Sequence, residues 1–437
     1  MSGQRFEPAQ GPLSGRIETA ADKSISHRAA IFAALATGTS TIDNYLLGED
    51  TLSTLRVLAQ LGISVQREGS RVVIEGVGLR GPIGSDAILD VGNSGTLLRL
   101  VSGWLAGQDG GSWIFDGDQS IRSRPMARVS DPLEEMGASF ELQAGGTPPL
   151  TVRGASLEAI SYESPVASAQ VKSAVLIAGL LASGPVSVSE RPASRDHTER
   201  MLAEQGAALT VTNDGDRRTV TVQPSDGLRA VDRLIPGDPS SAAFPLVAAL
   251  LVPGSEVTVD NINLNPSRTG LFRILERMGA QITGLNSDSG EGDSLAAEVP
   301  GAITVKASAL RGVEVGASEI PAAVDEITLV ALAACFATGQ TIVRGAGELR
   351  VKETDRIAGV VGLLSALGGA IEATDDGFVV DGSGGLRGGT VDSHGDHRLA
   401  MLAAVAGVAS ETGVTVTNFE AADVSYPDFA SDLASLA

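Results

Sequence analysis

Among 437 residues the chain has one cysteine, four lysines and few aromatic side chains, and its bases are outnumbered by acids. Each shortage excludes something. The single Cys335 rules out a disulfide framework within the chain, and its surroundings, VALAACFATG, hold no His or carboxylate, so it reads as a core thiol rather than a nucleophile. A formal net charge of −21 leaves no basic surface for nucleic acid or an anionic membrane, since such binding rests on clustered Lys and Arg. Apolar runs such as AAIFAALA and PLVAALLV fall far short of the roughly 20 residues that cross a bilayer. The opening stretch MSGQRFEPAQGPLSG has no apolar signal core. The expectation is a soluble, cytoplasmic protein whose anionic partners are small and held locally. Nucleotide signatures are also lacking. No G-x-x-x-x-G-K-[ST] occurs, and GVGLRG (76–81) has the spacing of a dinucleotide loop but leads into PIGSDAILD rather than a helix. His394 and His397 are spaced as metal ligands could be, yet no Cys or further His joins them, so a pair of turn histidines is expected and neither metal nor cofactor.

What the chain has in quantity is apolar residues, 43% of the total, and 53 glycines, enough for a large core divided over two or more domains. It also repeats itself. Five amphipathic stretches, LAQLGISV, LEEMGASFEL, LAEQGAALTV, LERMGAQIT and LSALGGAIEA, each end at a glycine and pass into a strand-like run. Those glycines are Gly62, Gly137, Gly206, Gly279 and Gly368, a period too long for a solenoid turn and suited to a repeated domain fragment. Each unit contains a second, more apolar helix with a polar opening: KSISHR, GNSGTLLR, SAQVKS, DPSSAAF, VDEITL and GDHRLA. A β-branched run follows each, from GTSTIDN to GVTVTNF. There are thus six units, the last truncated at YPDFASDLASLA. They predict an α/β protein of two three-unit domains, with VDRLIPGDPSS as the crossover, or alternatively one closed ring of six.

The polar openings have two readings. Ser, Asp and Asn at a helix start are ordinary N-caps. Helix N-termini also present free N–H groups and partial positive charge, and so bind anions. The placement of cations favours the second reading. Lys23, Lys172 and Lys352 lie in polar motifs, as do Arg28, Arg124, Arg195, Arg356 and Arg398. An arginine fork suits carboxylate and phosphate, and an acidic protein that gathers cations at one cleft focuses its field on a small polyanion. Asp325 and Glu353 sit among these cations, available for proton transfer, although Asp325 could equally cap a helix.

In their order, KSISHR, GNSGTLLR, GDQSIRSRPM, SPVASAQVKSAVLIAGL, SRDHTERML, PGDPSSAAFPLVAALLVPGS, AAVDEI, ELRVKETDRI and GDHRLAM resemble the 5-enolpyruvylshikimate-3-phosphate synthase family from about residue 13 to the C-terminus. The wording is most similar to the bacterial branch that includes glyphosate-tolerant members. The resemblance implies two similar domains, each of three βαβαββ units, the inside-out α/β barrel of the enolpyruvyl transferases, with the active site in the interdomain cleft. It places residues 1–19 plus 237–437 in one domain and 20–236 in the other, with hinges near 13–20 and 233–239. The implied reaction is transfer of the enolpyruvyl group of phosphoenolpyruvate to the 5-hydroxyl of shikimate 3-phosphate, with loss of phosphate.

Residue by residue, the resemblance assigns shikimate 3-phosphate to Lys23, Ser24, Arg28, Ser168, the Ala169 backbone, Gln170, Arg195, Asp325 and Lys352. It assigns phosphoenolpyruvate to Lys23, Gly95, Arg124, Gln170, Arg356 and Arg398. Asp325 is the expected base for the 5-hydroxyl, and Glu353, with Lys23, handles the proton at the methylene carbon. A monomer without metal or cofactor is expected. Three positions bear on the pattern. Val424 stands where many relatives carry Lys, Glu348 where others have Asn, and Gly95 is the glycine that tolerant relatives replace by Ala, so the inhibitor glyphosate is expected to fit. Other readings are the sister transferase acting on UDP-N-acetylglucosamine, which uses a loop Cys absent here, a non-catalytic sensor of phosphorylated metabolites, and a purely structural repeat protein.

Overall fold

The computed structural model describes residues 3–81, 87–285 and 295–437. The two kinds of helix foreseen in each repeat are both present, and burial separates them. Helices Lys23–Leu35, Gly95–Ala106, Ala169–Gly179, Pro239–Leu251, Ile327–Cys335 and His397–Ala409 are buried on nearly every side, as their unbroken apolar runs require. Helices Glu49–Gln60, Ala127–Glu135, His197–Glu204, Gly270–Met278 and Arg356–Ala366 bury one face only. The repeated glycines that follow these five, Gly62, Gly137, Gly206, Gly279 and Gly368, have φ of +87°, +112°, +93°, +106° and +99°. This left-handed conformation ends a helix and turns the chain into the next strand, and a side chain with a Cβ would adopt it at a cost.

The sheets show how one repeat is wired. Ile88–Asp90 pairs parallel with Ser112–Asp116 across the buried helix Gly95–Ala106. Ser112–Asp116 then pairs antiparallel with Leu150–Arg153, which forms a hairpin with Ser139–Glu141. The result is βαβαββ, and the same strand order recurs in the sheet of Ser161–Glu163, Val186–Glu190, Arg217–Val222 and Leu209–Asp214. None of the six sheets among the described residues closes into a barrel of its own strands.

Three sheets are completed by strands remote in sequence. Ala36–Asp43 takes its parallel partners from Leu228–Arg229 and Arg233–Leu234. Glu256–Asn263 takes its partner from Ser14–Glu18. The truncated last repeat, Gly389–Asp392 with Val414–Thr417, gains Gln4–Phe6 as an antiparallel third strand. Consequently the N-terminus belongs with the C-terminal half. Met1–Ala20, Pro236–Gly290 and Val299–Ala437 form one compact unit, and Ala21–Ile235 with Glu291–Glu298 the other. Among the described residues each holds three sheets around three buried helices. No described helix is long and apolar enough to cross a membrane.

Candidate active site

In the unit built on Ala21–Ile235 the three buried helices begin side by side. Gln170, second residue of its helix, donates through Nε2 to Oγ1 of Thr96, second residue of another, at 2.9 Å. Arg28, in the second turn of the first helix, reaches Ser173 Oγ at 3.0 Å. Each start is capped as its sequence invites: Asp22, Ser94 and Ser168 accept from Ile25, Leu97 and Val171. The capping reading of these openings therefore holds, and so does the gathering of N-terminal dipoles in one place.

Around these ends stand the cations. Lys23 pairs with Asp50 at 3.2 Å and keeps its ammonium partly exposed. Arg28 is only 3% exposed and spends its guanidinium on Thr198, the Ser24 carbonyl and Ser173. Arg124 and Arg99 crowd the start of helix Gly95–Ala106 so closely that a Cβ on Gly95 would lie 3.0 Å and 2.7 Å from their Nη1 atoms. Arg99 also donates to Gln170 Oε1. The sequence reading passed over it, although an arginine inside the apolar run TLLRLV was signal enough. Ser24, Ser168, Ala169, Gln170, Arg124 and Arg195 are half-buried, as groups lining a site should be.

Two members of the charged openings do other work. Lys172 is 1% exposed and lies 3.0 Å from Glu190 and 2.8 Å from Glu199. Burial lowers its pKa, but the two carboxylates outweigh that and raise it, so it is a structural cation. His27 is buried against Thr54 at 2.7 Å, and burial lowers its pKa from 6.5 to about 3, leaving it a neutral packing group.

The other unit gathers its three helix starts likewise. Ser240, second residue of helix Pro239–Leu251, donates to Glu326, which opens helix Ile327–Cys335. Arg398, second residue of helix His397–Ala409, donates to the Asp325 carbonyl at 3.2 Å. Asp238 and Asp396 cap two of these helices. Asp325 lies outside the N-cap position of helix Ile327–Cys335. Its carboxylate instead stands 3.4 Å from Arg356, 3.6 Å from Arg398 and 3.8 Å from Lys352. Glu353 pairs with Arg356 at 2.5 Å and stays partly exposed.

Arg356 is the hub. It is 1% exposed and bonded to Asp396 at 2.8 Å. Burial alone would lower its pKa, yet Asp396, Glu353 and Asp325 raise it. Burial would raise Asp396, while Arg356 and His397 hold it down at about 2. Behind this layer, Arg268 donates to Asp238 at 2.5 Å and to Ser240 at 3.0 Å. Nothing in NPSRTG marked that loop arginine in advance. Among these named groups five acids, Asp238, Asp325, Glu326, Glu353 and Asp396, face four cations, Arg268, Lys352, Arg356 and Arg398, which leaves carboxylates for proton transfer, whereas in the other unit the named cations Lys23, Arg28, Arg99, Arg124, Lys172 and Arg195 outnumber the named acids Asp22, Asp50, Glu190 and Glu199, which suits anion binding.

GVGLRG closes strand Arg71–Val77 and turns, its Leu79 carbonyl accepting from Trp104 and Gln108; the following residues 82–86 lie outside the described residues. His394 has φ of 53° in a turn, but His397 is the first residue of a helix, not a turn residue. Ligand-type atoms of Asp196, His197 and Glu298 lie within 4.8 Å of one another. Asp196 is however bonded to Arg200 at 2.9 Å and lies 4.0 Å from Arg218, and two guanidinium groups repel a dication.

The fold is shared with a solved enolpyruvyl transferase, NikO from Streptomyces tendae, at a TM-score of 0.75 and 17% identity over 99% of this chain and 98% of that one. The sequence goes further. The chain belongs to the EPSP synthase (3-phosphoshikimate 1-carboxyvinyltransferase) family, whose model matches residues 8–433. It is 47% identical over the full length of both chains to a 3-phosphoshikimate 1-carboxyvinyltransferase of Bacillus thuringiensis subsp. konkukian. An EPSP synthase structure from Acinetobacter baumannii superposes with a TM-score of 0.84 at 37% identity, covering 99% of this chain and 97% of that one.

Proposed function

We propose that the two clusters serve the reaction of this family on a single pair of substrates, moving the enolpyruvyl group of phosphoenolpyruvate to the 5-hydroxyl of shikimate 3-phosphate with release of phosphate. In this reading Lys23, Ser24, Arg28, Ser168, Ala169, Gln170, Arg195 and Lys352 hold shikimate 3-phosphate. Lys23, Gly95, Arg124, Gln170, Arg356 and Arg398 hold phosphoenolpyruvate. The observation that carries it is Asp325. It is a carboxylate that lies outside the N-cap position of helix Ile327–Cys335 and is kept 3.4 to 3.8 Å from three cations, a place where a base is useful and a surface acid is not.

Asp325 takes the proton of the 5-hydroxyl as its oxygen bonds to the central carbon of phosphoenolpyruvate, and Glu353, with Lys23, delivers a proton to the methylene carbon. The tetrahedral adduct then loses phosphate and a methyl proton, which restores the enol ether. Cations fixed in advance oppose the charge on the departing phosphate. Val424 replaces a Lys of relatives, so one phosphoenolpyruvate contact is absent here and more falls to Lys23, Arg124, Arg356 and Arg398; Glu348 stands where relatives have Asn. The working form is proposed to be a cytoplasmic monomer, to which a net charge of −21 is suited, because like-charged copies repel.

Phosphate release from purified protein tests the reading. Release that requires both substrates is expected; release from phosphoenolpyruvate alone, or none at all, would overturn it.

A further inference from the structure

Glu190 takes no part in the reaction as described, yet it is a buried carboxylate that accepts from three groups and faces a fourth. It ends strand Val186–Glu190, is 2% exposed, and divides its two oxygens between two segments. Oε1 accepts the Ser168 backbone N–H at 3.1 Å, and the Ser194 hydroxyl donates between the two oxygens, 2.7 Å from Oε2 and 2.8 Å from Oε1. Oε2 accepts the Ser194 backbone N–H at 3.1 Å and faces the Lys172 ammonium at 3.0 Å. Ser168 caps the helix that presents Ala169 and Gln170, and Ser194 precedes Arg195. One carboxylate thus ties together two of the segments to which shikimate 3-phosphate is assigned.

We propose that Glu190 is a positioning residue for shikimate 3-phosphate, setting the Ser168–Gln170 turn and the Ser194–Arg195 loop at the separation the substrate needs; this rests on the function proposed above. The chemistry calls for a carboxylate and not merely a polar side chain. Both oxygens meet a backbone N–H, and an amide would supply one acceptor and turn its NH2 against the other donor. Lys172 is what keeps the group ionised. Burial would raise the Glu190 pKa, but Lys172 and the Ser194 bonds bring it below the usual range.

The test is steady-state kinetics of the full-length enzyme and its Glu190→Gln variant with both substrates varied, beside urea melts of each. Loss of one charge-assisted bond at a binding segment raises KM for shikimate 3-phosphate about tenfold; Gln170 is assigned to phosphoenolpyruvate as well, so KM for that substrate rises too, but by less than about threefold, and any change in kcat stays within the same factor. An unchanged KM for shikimate 3-phosphate in folded variant, or a parallel rise in both KM values, overturns the assignment. If Glu190→Gln does not fold, Ser194→Ala removes only the hydroxyl, and about a threefold rise confined to KM for shikimate 3-phosphate is required; no rise overturns the proposal. A wild-type protein without turnover removes the functional reading and this one with it. An active wild type beside a kinetically unaltered variant removes only this one.

Discussion

Replacing Gly95 by Ala separates binding from stability in one experiment. A Cβ at this position would lie 2.7 Å from Nη1 of Arg99 and 3.0 Å from Nη1 of Arg124. Ordinary contact is about 3.5 Å, so the two guanidinium ends must retreat by roughly 0.8 and 0.5 Å. Both atoms are the far ends of flexible side chains, and the three nearest neighbours are all side-chain atoms, so the fold itself is not opposed. Ala in the first turn of a helix even recovers about 0.5 to 1 kcal/mol relative to Gly. The cost falls on the cations. Arg99 loses its bond to Gln170, and Arg124 moves off the helix start where phosphoenolpyruvate is proposed to sit. A charge-assisted hydrogen bond is worth about 1.5 to 3 kcal/mol, which converts to a rise in KM for phosphoenolpyruvate of roughly tenfold to a hundredfold. Initial-rate kinetics with each substrate varied, together with a urea melt, read both effects. A folded Gly95→Ala variant whose KM for phosphoenolpyruvate stays within about twofold of wild type, or one destabilised by more than about 1 kcal/mol, would refute this account of the crowding.

Asp325→Ala removes the proposed base and lowers kcat by about 10² to 10⁴-fold, measured as phosphate release with both substrates saturating; intact turnover would remove the assignment. Lys172→Met leaves Glu190 and Glu199 buried without their cation and costs about 3 to 5 kcal/mol, seen as a lower urea midpoint at constant slope. His27 gives a pH dependence. Its folded pKa of about 3 lies below the unfolded 6.5, so its contribution is full above pH 6.5 and declines as pH falls toward 3. Between pH 6.5 and 5 the loss reaches about 2 kcal/mol, and urea midpoints of a His27→Asn variant should lack that slope.

Much of this protein is written locally. The apolar runs set the six buried helices, because a helix with no polar face is stable only when covered. The five glycines set the turns, because their left-handed φ is a property of the residue. The Asp and Ser at the openings cap their own helices through bonds that span two or three residues. Asp325, Arg356, Arg398 and Lys352 could be picked out because they lie in polar motifs against an apolar, acidic background.

What the string of residues could not hold is anything that depends on pairing across the chain. Gln4–Phe6 fills the edge left by a truncated repeat some 400 residues away, since an open strand's N–H and C=O groups need partners and nothing local supplies them. Lys172 looks like an equal of Lys23 in sequence; only packing against Glu190 and Glu199 makes it structural. Asp325 and Asp396 look alike as acids before apolar helices, yet Asp396 caps its helix and pairs with Arg356, whereas Asp325 stands between Arg356, Arg398 and Lys352. That difference is decided by which arginines the tertiary structure brings within 4 Å, because the charge a carboxylate feels comes from its neighbours in space.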